Sequence, residues 1–280
     1  MAFRIPHNVE AMTAYRWLSH AQFNLNRSLE RLSSGYRINR AADDAAGLAI
    51  ANQFRQEIAS LRVAYNNASQ GINMIQVAEG TVSKISEMVT RLKELATEAA
   101  SDTVDTDRRT YLHNEAYEII QEINNLADST KYAGQPLFSA SGTSGYTFTF
   151  QVGYEDATHD QIQLQIGDVH TSHLGAGGIS EINLKNISSA QDALTCIDNA
   201  LTSLNGVLAD LGAVQNKLTY RQEKINVQIE NFTASESTIR DVDMALEMAN
   251  FTKNQILVQT SMAMLAQANA LPQNIIQLLR

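Results

Sequence analysis

Three histidines, His159, His170 and His173, sit in one stretch of the chain with Asp156, Asp160 and Asp168 beside them. Imidazole nitrogens and carboxylate oxygens are the donor set of a divalent-metal site, but these residues follow no recognised tight ligand spacing. They read as ordinary exposed polar residues, and no metal site is expected. Asp43 and Asp44 offer adjacent carboxylates; hydrolysis would also need a cleft and a second group, so capping the following helix or pairing with Arg40 is the expectation. Ser33-Ser34-Gly35 lacks the Gly-x-Ser-x-Gly elbow of a hydrolase nucleophile, and no phosphate-loop or dinucleotide glycine pattern occurs. The single cysteine, Cys196, has no internal disulfide partner and reads as a buried helix residue. His7, His20 and His113 are scattered. The chain is therefore not read as an enzyme, and no catalytic residue or cofactor is expected.

The elements that would position these residues are mostly helices. The 280 residues are 44% hydrophobic but only 6% aromatic, with three prolines and 14 glycines, a mixture that suits long helices better than a large β-sandwich. A net charge of -9 argues against a generally basic nucleic-acid binder, and Arg31, Arg37 and Arg40 make only one basic turn. Met1 to His20 carries Arg4, Glu10 and Arg16 and lacks the apolar core of a cleavable secretory signal. From Asn254 to Leu279 no acidic or basic residue occurs, yet amides from Gln255 to Gln277 interrupt the apolar character, so no membrane span is expected.

Leu18, Leu25 and Leu32, with Tyr15 and Leu29 near the same face, predict an early amphipathic helix. Ser33-Ser34-Gly35 interrupts it. Leu61, Ala68, Ile75, Val82, Val89 and Ala96 repeat every seven residues and predict one long helix. Asp102 to Thr106 breaks it, and Leu112, Ile119 and Leu126 with Ala116 and Ile123 restart the pattern in a reversed helix. Between Lys131 and Leu184 glycines multiply; Tyr146, Phe148 and Phe150, then Ile162, Leu164 and Ile166, alternate with polar residues and predict two short strands. A final stripe runs by sevens from Ile197 through Leu204, Leu211, Leu218, Ile225, Phe232 and Ile239 to Leu246. Were Ser188 to Leu271 one helix, it would span roughly 125 Å. The fold class expected is mainly α: an elongated antiparallel bundle and coiled coil formed by both chain ends, with a small β-containing middle section. Late in the chain Ile256, Met262, Leu265 and Leu278 provide an apolar face, and pairing it with the Leu18, Leu25 and Leu32 stripe, repeated between subunits, would build the inner layer of a polymer.

Two separated segments then carry a family resemblance. Arg31 to Gly47, RLSSGYRINRAADDAAG, resembles the N-terminal signature of bacterial flagellin. Met264 to Asn269, MLAQAN, and Leu271 to Arg280, LPQNIIQLLR, resemble its C-terminal signature. The resemblance implies a structural subunit exported through the flagellar channel without a cleaved signal peptide and polymerised into an extracellular filament for motility. It implies as partners many copies of the chain itself, the export machinery, an export chaperone, and the filament cap and junction proteins. Its domain plan places residues 1–43 and 253–280 in a filament-core domain, 44–139 and 186–252 in an outer helical bundle, and 140–185 in a short β/loop section. The segment at Arg91, Glu94 and Leu95, with Glu115 on the neighbouring helix, resembles the contact helix for a host innate receptor, with Leu95 as its apolar anchor. The competing readings are a hook–filament junction protein and a helical signalling adaptor.

Overall fold

The computed structural model describes residues 8–138, 146–175 and 177–278, with side chains as far as residue 270. Its order is α1 (Val9–Ser34), α2 (Ala45–Ala99), α3 (Thr106–Ser129), β1 (Lys131–Tyr132), β2 (Gln135–Pro136), β3 (Tyr146–Gln151), β4 (Gln161–Ile166), α4 (Ile187–Arg240) and α5 (Met244–Leu278). The mainly helical class with a small β section is what forms. Two compact units result: a central one, Ala59–Ile229, and one built by both chain ends, Met1–Ile58 with Glu230–Arg280.

In the central unit the α2 stripe from Leu61 to Ala96 is completely buried, because seven residues are close to two helical turns and return each side chain to one face. Asp105 caps α3 by accepting from the Thr106 amide, and Arg109 donates to the Ala99 and Ser101 carbonyls at 3.0 and 2.9 Å, which closes the reversal. The buried face of α3 follows the true helical period, Leu112, Ala116, Ile120, Ile123 and Ala127, so Ile119 and Leu126 fall at its edge, half-buried. α4 lies antiparallel to α2: Gly71 faces Leu218, and Lys93 pairs with Asp198 at 2.6 Å. The two predicted strands pair antiparallel with Phe148 opposite Leu164 and Phe150 opposite Ile162, and the alternation puts Ile162, Leu164 and Ile166 into the core.

The loop after β4 corrects one expectation. Asp168 and His170 are not exposed polar residues; both side chains are buried. His170 Nδ1 is 2.5 Å from Asp168 Oδ1, and its Nε2 is 3.2 Å from Asp128 on α3. Thr171 donates to Asn124 Oδ1 through its amide and its hydroxyl, both at 3.0 Å, so the loop is pinned to α3 twice. Burial alone would lower the His170 pKa, but the hydrogen bonds and charges of Asp168 and Asp128 hold it above its ordinary value.

The unit formed by the chain ends corrects a second. The helix begun at Ile187 stops at Arg240 and restarts at Met244, so there is no continuous rod from Ser188 to Leu271. Asp243 ends the break by accepting from the Ala245 and Leu246 amides at 2.9 and 3.1 Å. The stripe that stays buried along Ile197 to Ile225 does not continue: Phe232 and Ile239, still on α4, are half-buried, and Leu246, now on α5, is exposed.

Candidate assembly surface

The joint between the helices comes from the segment carrying the N-terminal signature. Gly35 adopts φ +75°, a left-handed cap that only glycine takes without strain, and its amide closes on the Arg31 carbonyl at 2.9 Å. The chain then pairs with residues two hundred positions later. Tyr36 and Asp241 form an antiparallel bridge, the Arg37 amide donates to the Arg240 carbonyl at 2.7 Å, and the Val242 amide donates to the Gly35 carbonyl at 3.0 Å. This strand-like contact ends α4 at Arg240 and takes residues 241–243 out of the helical pattern. The Arg240 guanidinium sits 4.2 Å from the Tyr36 ring centroid, and the Arg37 side chain donates to the Ile239 carbonyl. Both aspartates serve the joint rather than chemistry. Asp44 Oδ1 accepts from the Gly47 amide at 2.9 Å at the start of α2. Asp43 accepts from the Asn39 and Arg40 amides and pairs with Arg27 instead of the Arg40 side chain, which reaches Glu30. Partial burial works to raise the Asp43 pKa, and the bonds from Arg40, Asn39 and Arg27 outweigh it, leaving the carboxyl below its usual range.

Beyond the joint, α1 and α5 pack antiparallel. Asn8 caps α1 through the Ala11 amide and donates Nδ2 to the Ala268 carbonyl at 2.9 Å; Asn254 donates to Ser28 at 3.4 Å; Arg31 faces the buried Glu247 at 3.6 Å. Besides Glu247, what the pair buries is small: Ala21, Ser28 and Ala268. Small residues let the backbones approach, but they cover little apolar area. The large side chains are left outside. Val9, Met12, Tyr15, Trp17, Phe23 and Leu29 on α1, and Met244, Leu246, Met248, Ile256, Leu257, Met262 and Met264 on α5, are all exposed. An open apolar groove of about 550 Å³ runs between the two helices, walled by Val9, Trp17, Leu257 and Met264.

Of the residues expected at polymer contacts, Leu18, Leu25, Leu32 and Leu265 are half-buried, and Ile256 and Met262 are exposed. Leu278 lies outside the described side chains. Tyr15 and Leu29, expected near the buried stripe, instead face out at 65% and 55% exposure. Sequence reasoning missed Trp17, Phe23 and Met264; their signal was a set of large apolar residues lying off the seven-residue stripe, which a helix burying one face has no reason to carry.

At the segment compared with a receptor contact, Arg91 donates to Glu94 and to Glu115, each at 2.8 Å, on the outward faces of α2 and α3. Those two carboxylates, Glu94 first, raise the Arg91 pKa. Leu95 does not belong to that surface. At 1% exposure it is part of the core shared by α2, α3 and α4, so it cannot serve as an apolar anchor for a partner. The structure also brings Glu155, His159 and Asp160 together, without His170 or His173, at the turn between β3 and β4.

Comparison with known proteins agrees with this architecture. The model of the bacterial flagellin N-terminal helical region matches residues 5–143, and that of the flagellin C-terminal helical region matches residues 194–279. The chain is 39% identical to the flagellar filament 33 kDa core protein of Treponema phagedenis, covering 99% of both chains. It is 38% identical to the flagellin of Bacillus subtilis, covering 99% of this chain and 100% of that one. A crystal structure of Bacillus cereus flagellin superposes with a TM-score of 0.50 at 24% identity, over 61% of this chain and 94% of that one, and supports the fold. With both end regions matched, and with relatives aligned from end to end, the chain belongs to the bacterial flagellin family.

Proposed function

We propose that this chain is the repeating subunit of a flagellar filament, and that the large apolar residues on α1 and α5 are the surfaces that neighbouring copies cover. Family membership makes it an exported structural protein of an extracellular filament, not an enzyme. The observation carrying the reading is the apolar face of the paired end helices: an isolated soluble subunit would be poorly served by so much exposed apolar area, whereas a polymer gains from covering it. The relatives aligned over nearly their full length are filament proteins, which favours the main subunit over a hook–filament junction component. Among the described residues no helix is long and apolar enough to cross a membrane.

Residues 1–43 and 253–280 form the filament core, with Leu18, Leu25, Leu32, Ile256, Met262, Leu265 and Leu278 at or beside contacts between copies. Residues 44–139 and 186–252 form the surrounding helical layer, and 140–185 its short β/loop section. Export uses the flagellar route without signal cleavage, with a chaperone before export and cap and junction proteins at assembly. Where a host innate receptor engages the chain, the contact uses Arg91, Glu94 and Glu115, whose charges already face solvent, while Leu95 supports them from within. The test is seeded growth. Purified monomer added to filament fragments elongates them into regular fibres, and the Leu265→Arg chain, secreted equally, does not incorporate. Failure of wild-type seeding would reject the filament reading, and normal incorporation of the variant would reject the α5 contact.

A further inference from the structure

The central unit holds two clusters of histidine and aspartate that differ in one respect. Around His170 both ring nitrogens are occupied by carboxylates, Asp168 at 2.5 Å and Asp128 at 3.2 Å, and His173 Nδ1 lies 3.0 Å from the second Asp168 oxygen, so the imidazoles are already paired inside the cluster. At the turn between β3 and β4 the separation is longer. His159 Nε2 is 3.8 Å from Asp160 Oδ1, beyond hydrogen-bond length, and a Glu155 carboxylate oxygen completes a trio of ligand atoms all within 4.8 Å of one another. Two ligands of one tetrahedral ion, each roughly 2.0–2.1 Å from it, stand about 3.4 Å apart. The trio therefore needs to close by at most about 1.4 Å.

The turn is constructed around one of these ligands. The Asp160 carboxylate is folded beneath the loop, its side chain 8% exposed, and Oδ2 accepts from the Glu155 amide at 3.2 Å. A Cβ on Gly153 would lie 1.9 Å from Asp160 Cγ, so glycine is what lets the carboxylate occupy that place. Gln151 Nε2 holds the Gly153 and Glu155 carbonyls at 3.3 and 2.8 Å, the Val152 amide donates to the Asp160 carbonyl at 2.8 Å, and Arg221 donates to the His159 carbonyl. Thus Asp160 is fixed, and the exposed Glu155 and His159 are free to adjust to an ion. The trio opens on a cavity of about 190 Å³ whose wall also includes Lys224 and Gln228.

We propose that Glu155, His159 and Asp160 bind a divalent transition-metal ion such as Zn²⁺, with a fourth coordination position open to the cavity. Two carboxylates match the charge of the ion, and the imidazole nitrogen selects a borderline metal over calcium or magnesium, which prefer all-oxygen shells. The Lys224 ammonium opposes the cation and favours an anion at the open position. This site goes beyond the filament role and reverses the expectation of no metal drawn from sequence spacing.

The test uses the full-length monomer, stripped with chelator and titrated with Co²⁺ as a spectroscopic probe, then competed with Zn²⁺. One ion per chain, with the visible absorption of a tetrahedral or five-coordinate Co²⁺, is expected. Glu155→Gln and His159→Gln, both exposed and checked for an unchanged circular dichroism spectrum, each weaken binding by more than about tenfold, since even outer-shell changes reach that size. His20→Gln leaves binding unchanged, and Lys224→Gln tightens it. No bound Co²⁺ at millimolar ion, binding that survives both ligand substitutions, or weaker binding by Lys224→Gln would overturn the proposal.

Discussion

Trp17→Ala separates packing inside the subunit from packing between subunits. The indole is 66% exposed on α1 and forms one wall of the groove that Leu257 and Met264 share. A tryptophan offers up to about 250 Å² for burial, so roughly 165 Å² of this one remains for a neighbouring copy. At about 25 cal/mol per Å² that is about 4 kcal/mol, and roughly 3 kcal/mol once the alanine methyl is credited. The third already covered within the subunit is worth at most about 2 kcal/mol on the same scale, so the polymer has more to lose than the monomer. Expressed as assembly, about 3 kcal/mol is a rise of roughly 150-fold in the critical concentration for seeded elongation. Two measurements decide it: the critical concentration from pelleting at a series of monomer concentrations, and the monomer's own chemical denaturation. The expected result is a large rise in the first with a smaller loss in the second. A critical concentration within about threefold of wild type would refute the claim that this face is covered in the polymer, because a buried indole cannot be removed that cheaply.

Two further predictions test the joint and the central loop. A Cβ on Gly47 would lie 2.5 Å from Asp44 Oδ2 and 2.9 Å from Ile38 Cδ1, so Gly47→Ala displaces the carboxylate that caps α2 and overpacks a buried isoleucine. A loss of about 2 kcal/mol is expected, read as a lower filament melting temperature, and an unchanged one would mean that the joint yields without cost. His170→Gln takes one of two imidazoles from the buried Asp168, whose other oxygen stays 3.0 Å from His173 Nδ1, and costs about 2 kcal/mol near neutral pH. Because the folded His170 pKa is raised, the wild-type contribution is complete below pH 6.5 and is lost as pH rises through the folded value. Denaturation at a series of pH values should therefore show the gap between wild type and variant narrowing toward alkaline pH; a constant gap would show that His170 does not titrate in the folded chain.

Periodicity made much of the fold legible. Leu61 to Ala96 and Ile197 to Ile225 bury along their seven-residue spacings because that spacing is a property of the helix itself, and the alternation of Phe148, Phe150, Ile162 and Leu164 sets which residues face each other across the hairpin. The site was legible in part. Arg31 to Gly47 announced the family, but not that Gly35 to Arg37 would pair with residues near Asp241 and divide the last helix in two. Nothing local forbids helix at 241–243, since no proline or glycine stands there; the partner is two hundred residues away. The same limit governed individual side chains. Leu95 and Trp17 look equally able to meet a partner when read along the chain, yet α3 and α4 cover one completely and the subunit leaves most of the other exposed. Glu155 escaped notice beside His159 and Asp160 because a turn, unlike a helix, has no fixed period from which its convergent residues can be counted. Sequence determined the helical periodicity, the paired strands and the family; only the tertiary structure decided where the last helix divides, which faces were used up and which remained, because these depend on segments that meet in space and not in order.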